Sequence, residues 1–232
     1  MRTIYSYIVY IILLLQLNSC NNEGLMYEYE HSTPIKFSSS CINVSTKSQG
    51  IIENNKLPKG SNISIFSIQH PENTTINLWE PILFDNIKDI SNFNGDIEYN
   101  NTYYFPDKEQ LDFFAIYPFL SFPTIGSDYG NTQYTTVTLK DNTVDQYDLM
   151  YASLLNQSKK SSVLVFEFHH LLTQITINII KNTGVTIDLP LTKVQIVAPQ
   201  SATLDIWHGQ LSDIAGQTTY TLDTNTTLSN AD

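Results

Sequence analysis

Arginine is almost absent: of 232 residues only Arg2 is one. Cysteine is nearly as rare, with Cys20 and Cys41 alone. Two thiols cannot build the disulfide framework of a small secreted scaffold. Zinc-type spacings such as Cys-x-x-Cys or His-x-x-x-His do not occur. Neither does a Gly-x-Ser-x-Gly elbow, a phosphate loop or a dinucleotide fingerprint. No enzyme reading and no cofactor therefore follow from the sequence. The formal net charge is -11 and the lysines are scattered. Without a basic stripe, nucleic acid is not an expected partner. Helical periodicity is scarce as well. Ile82–Ile90 and His169–Gln174 are the best short candidates, each barely two turns. No apolar run reaches the ~20 residues of a spanning helix.

What is present begins at the N-terminus. Met1-Arg2-Thr3 is followed by an apolar run, Ile8–Leu15, and then by Leu17-Asn18-Ser19-Cys20. A positive start, a short greasy core and a small residue before the cut make a secretory signal. The cysteine, followed at once by Asn21-Asn22-Glu23, resembles a bacterial lipobox. Residues 1–19 then read as the signal peptide, Cys20 as the lipidated (palmitate-bearing) residue, and 20–33 as a linker. The expected location is the outer membrane, reached through lipid. With Cys20 so used, Cys41 has no intrachain partner and reads as a small, half-buried residue near a strand end.

Beyond residue 33 the apolar pattern has period two. Leu164, Phe166 and Phe168 alternate with Val165 and Glu167, Ile175, Ile177 and Ile179 with Thr176 and Asn178, and Val194 and Ile196 with Lys193 and Gln195. Leu204 and Ile206 alternate with Thr203, Asp205 and Trp207. Such alternation predicts strands with one face on a core. Leu111–Tyr117 and Ile63–Ile68 are apolar on both faces, as central strands are. Ile35 and Phe37, flanking Lys36 after Pro34, predict an N-terminal edge strand. Many short strands between Asn, Ser and Thr turns predict an all-β sandwich. A soft boundary at Asn182–Pro190 divides an N-terminal β-sandwich, 34–182, from a partial second β domain, 190–232. His169-His170 point to opposite faces of a strand and cannot share one metal. His31, His70 and His208 read as isolated residues in loops or at strand ends. Asp141, Asp145 and Asp148 read as a solvated loop.

Six segments in this order resemble the fimbrillin-like family of surface lipoproteins. They are Pro34-Ile-Lys-Phe37, Gly60–Phe66, Tyr104-Phe-Pro106 leading into Leu111–Pro118, Asp148–Ala152, Val165–Leu172, and Lys193–Leu211. The resemblance implies two transthyretin-like β-sandwiches, the second apparently truncated here. It implies a structural role as pilin, anchor or tip adhesin, with partners that are other fimbrial subunits bound by strand exchange, and a part in cell adhesion. Related pilins are thought to be opened by a cut after an arginine near the first strand. With no arginine past Arg2, Lys47 is the expected place for such a cut, and Ile35 and Phe37 the side chains packed in the groove. The alternative is a non-polymerising outer-membrane lipoprotein that binds host or bacterial glycans through exposed aromatics, Trp79, Tyr99 and Tyr103.

Overall fold

The computed structural model describes residues 33–41, 55–72, 74, 84, 87–91, 95–120, 134–142, 146–159, 163–182 and 184–228. Among them no α-helix occurs. The strands are β1 (Phe37–Cys41), β2 (Asn62–Pro71), β3 (Ile87–Ser91), β4 (Asp96–Glu98), β5 (Glu109–Tyr117) and β6 (Tyr134–Thr138). They continue with β7 (Met150–Gln157), β8 (Leu164–His170), β9 (Leu189–Ala198), β10 (Ser201–Asp205), β11 (Gln210–Ala215) and β12 (Thr218–Leu228).

Seven strands close into a barrel in the order β1-β4-β3-β2-β5-β7-β8. Every pairing in it is antiparallel except β1 with β8. A three-stranded sheet, β11-β10-β6, and a two-stranded ladder, β12-β9, complete the fold. The chain is therefore all-β with curled sheets. β10 lies past the soft boundary at 182–190, yet it pairs along its whole length with β6 from before it.

β2 and β5 explain why two cores exist. Their side chains alternate between opposite faces, and both faces are apolar. One face, with Ile63, Ile65, Leu111, Phe113 and Ala115, packs inside the barrel against Phe37, Phe166 and Phe168. The other, with Phe66, Ile68, Phe114 and Ile116, packs against Val137, Leu204, Ile206 and Trp207. Burying a large apolar side chain is worth about 1.5–3 kcal/mol, so two doubly buried strands hold much of the molecule's stability. β8 keeps the predicted alternation: Leu164, Phe166 and Phe168 are buried, Val165 and Glu167 exposed.

Several expectations are corrected. The N-terminal strand is not an edge, because β4 and β8 flank it. The end of the first helix candidate, from Ile87 to Ile90, lies in strand β3. His169 and His170 end β8, and 171–174 carry no helix. Ile175, Ile177 and Ile179 sit outside the strands, pair with none of the described residues in a ladder, and are exposed. Trp207, expected on the polar side, is buried against Phe114 with ring centroids 4.9 Å apart. His70 does lie at a strand end, next to the last residue of β2, but it is buried there.

Candidate functional site at the N-terminal strand

β1 is short, but it is tied on both sides. Its register with β8 runs from Phe37↔Leu164 to Cys41↔Phe168, and with β4 it pairs Phe37↔Ile97 and Ser38↔Asp96. Just before it, the Ile35 N–H donates to the Tyr103 carbonyl at 2.8 Å, and the Tyr99 hydroxyl donates to the Ile35 carbonyl. The Leu164 N–H donates to the Lys36 carbonyl at 2.8 Å. Ser39 adds a side-chain tie: its Oγ donates to the Gly95 carbonyl at 2.9 Å and accepts the Leu57 N–H at 3.3 Å. Gly95 has φ +77°, and a Cβ there would stand 3.0 Å from Ser39 Oγ and 2.7 Å from Lys56 Cδ. A glycine is needed for both the backbone and the space.

Ile35 and Phe37 are both buried in the barrel core. The Phe37 ring stacks on Phe166 at 5.0 Å and meets Phe113 and Phe84 edge-on at 5.0 and 5.6 Å. Such aromatic pairs add about 0.5–1.5 kcal/mol beyond area burial. Beside the strand lies an open cavity of about 420 Å³, its walls including Lys36, Asp96, Glu98, Asn101 and Val163.

At the other end of β1, burial pushes the Cys41 thiol up to about 12, with the nearby Asp148 carboxylate adding to the shift. A thiol held neutral is a poor nucleophile. Burial likewise raises the Tyr117 phenol; a hydrogen bond with Ser61 works the other way, and Asp148 and Cys41 add to the rise. Asp148 is itself engaged by His170 Nδ1 at 2.7 Å.

The site residues expected from sequence are placed unevenly. Ile35 and Phe37 come together in the barrel core. Tyr99 and Tyr103 are half-buried against it, their rings packed on Phe84 at 5.9 and 4.3 Å. Cys20, Lys47 and Trp79 lie outside the described residues. Phe84 and the Ser39–Gly95–Leu57 tie were not legible in the sequence: a lone Phe and a run of serines carry no pattern that names their partners.

The sequence profile of the fimbrillin-like family matches residues 47–231. The chain belongs to the fimbrillin-like family. No curated protein matches it. Among solved structures, a proposed cell adhesion protein from Bacteroides uniformis aligns at 21% identity with a TM-score of 0.56, covering 85% of this chain and 71% of that one. A second, from Bacteroides ovatus, aligns at 14% identity and a TM-score of 0.51, over 84% and 78% of the two chains. A fimbrial protein from Bacteroides vulgatus aligns at 17% identity, over 83% and 64%, with a TM-score of 0.49. At these identities the first two likenesses speak to the fold alone.

Proposed function

We propose that this fimbrillin-like chain is a structural subunit of a surface fimbria, as pilin, anchor or tip adhesin, with a part in cell adhesion. Family membership supports the cell-surface appendage and a structural, non-enzymatic role. We further propose that it is exported, lipidated on Cys20 and held at the outer membrane, and that it joins other subunits by strand donation. The observation that carries strand donation is the seat of β1. The strand lies between two ladders, and Phe37 on it and Ile35 just before it enter the barrel core. Its loss would leave unpaired backbone on β4 and β8 and an apolar slot at Phe84, Phe113 and Phe166, the combination a foreign strand can fill. A cut near Lys47 is the proposed trigger. The glycan-binding alternative draws less support, since Tyr99 and Tyr103 pack their rings against the core.

The test treats purified protein with a lysine-specific protease, maps the cuts by mass spectrometry and follows size by native gel and light scattering. Ladders that need the cut after Lys47, and vanish in Lys47→Gln, are expected. A peptide spanning Pro34–Cys41 should stabilise the nicked barrel and block the ladders. Nicked protein that stays monomeric, ignores the peptide and keeps its melting temperature would favour a non-polymerising lipoprotein.

A further inference from the structure

Ile35, Phe37, Ser39 and Cys41 stand at alternate positions of the N-terminal segment and are all buried. Ile35, Phe37 and Cys41 belong to the barrel core. Ser39 is the exception, a polar side chain only 1% exposed. An apolar residue there would bury more greasy surface, so the hydroxyl needs a reason. That reason is a backbone group. Ser39 Oγ accepts the Leu57 N–H at 3.3 Å while donating to the Gly95 carbonyl at 2.9 Å, and the Ser39 N–H donates to the same carbonyl at 2.7 Å. Leu57 is itself buried, so water is a poor substitute for the acceptor it would lose. Gly95 sets the room from the other side. Even a Cβ added to it would stand 3.0 Å from Ser39 Oγ, so the recess is filled by a side chain of serine size.

The intervening positions ask less of a side chain. Lys36 is exposed and Ser40 half-buried. Direction matters as well, because β1 runs parallel to β8 and antiparallel to β4. Along it the order is aliphatic, aromatic, hydroxyl. A strand entering in reverse, with its aromatic in the Phe37 seat, would bring the aliphatic side chain to the serine recess and the hydroxyl to the Ile35 seat.

We propose that the seat of β1 selects the strand that fills it: a partner strand carries a large aliphatic residue, an aromatic and a serine at alternate positions, in that order, with the serine hydroxyl accepting the Leu57 N–H. This inference rests on the strand-donation reading and names the partner chemistry that reading requires. The two apolar seats supply affinity through burial. The recess supplies specificity, since a strand without the hydroxyl leaves a buried N–H unpaired. Ser39 is thus the residue of β1 that a competing strand has to imitate.

The experiment uses the full chain, nicked as above and then freed of protease. Unlabelled peptides compete with a labelled Pro34–Cys41 peptide for the nicked barrel. Ser39→Ala in the peptide should weaken binding by roughly 5- to 100-fold, the range for a buried donor left unpaired. Ser39→Leu should weaken it further through overpacking. Lys36→Gln should bind like the native sequence, and the reversed sequence should not compete. In the uncut chain, Ser39→Ala should speed amide exchange at Leu57 beyond any change along β2. Equal binding of the native and Ser39→Ala peptides, or of the reversed peptide, would overturn this inference and leave strand donation standing. A native peptide that does not bind would overturn both. Should the nicked protein unfold, the uncut chain decides, and unchanged Leu57 exchange in Ser39→Ala would overturn the inference.

Discussion

Gly209 sits in the turn between β10 and β11 at φ +62°, and a Cβ there would lie 2.2 Å from Tyr151 Cδ1. The ring cannot yield freely, because the Tyr151 hydroxyl donates to the Trp207 carbonyl at 2.8 Å. Gly209→Ala should therefore destabilise the chain by about 1–3 kcal/mol, the usual cost of overpacking, readable by urea unfolding. Phe166→Ala removes a buried ring stacked on Phe37 and should cost about 3–5 kcal/mol; a loss under about 1 kcal/mol would contradict this packing. The buried acids give a third prediction. Burial lifts the Cys41 thiol from 9.0 to about 12 and raises the phenols of Tyr151, Tyr117 and Tyr147. A group whose folded value lies above its unfolded one contributes stability below the unfolded value and loses it as pH rises toward the folded one. Thermal melts should hold steady against this effect up to about pH 9 and fall beyond it. Native Cys41 should resist thiol reagents at pH 8 and react on unfolding.

Between elements the contrast is one of partners. β2 and β5 have strands on both edges and cores on both faces. Among the described residues β9 and β12 form a ladder with each other alone, apart from a single bridge from Thr221 of β12 to Asn142, and Val197 and Leu222 in them are 65% and 50% exposed. A two-stranded ladder is marginal without a packed face, and local stability follows burial. Amide exchange should thus be fast along β9 and β12 and slowest along β2 and β5; equal protection would show that the ladder is covered. The same contrast explains what the sequence disclosed. Period-two patterns located β8, β9 and β10, since alternation records extended backbone with two unlike faces, while β2 and β5 were read from runs apolar on both faces. They could not say which edges meet. Ile175, Ile177 and Ile179 carry the pattern as clearly as Leu164, Phe166 and Phe168, yet the first set lies outside the strands and is exposed while the second is core. Pro34 suggested an edge for the first strand, but closure of the barrel is a non-local event that no dipeptide signals. β4 and β6 are short and polar, and went unread. Ser39 and Gly95 lie far apart in sequence, and their tie appears only once the β1–β4 register, Ser38↔Asp96, is known.

For the molecule as a whole, the proposed attachment to the membrane would rest on lipid at Cys20. The only other thiol, Cys41, is buried in β1 and held neutral, so it cannot take lipid in place of Cys20. The formal charge of -11 gives the folded surface no electrostatic pull toward anionic lipid. A single acyl chain binds reversibly, whereas two or more membrane signals hold firmly. Anchoring should then depend on Cys20 and little else. Cys20→Ala should fold with an unchanged melting temperature, lack any lipid mass, and leave the membrane fraction almost entirely. The mass of the N-terminal peptide and the split between pellet and supernatant check this together. A variant that stays in the pellet after high-salt washing would mean that something other than the lipid holds the chain, and the proposed anchor would have to be abandoned.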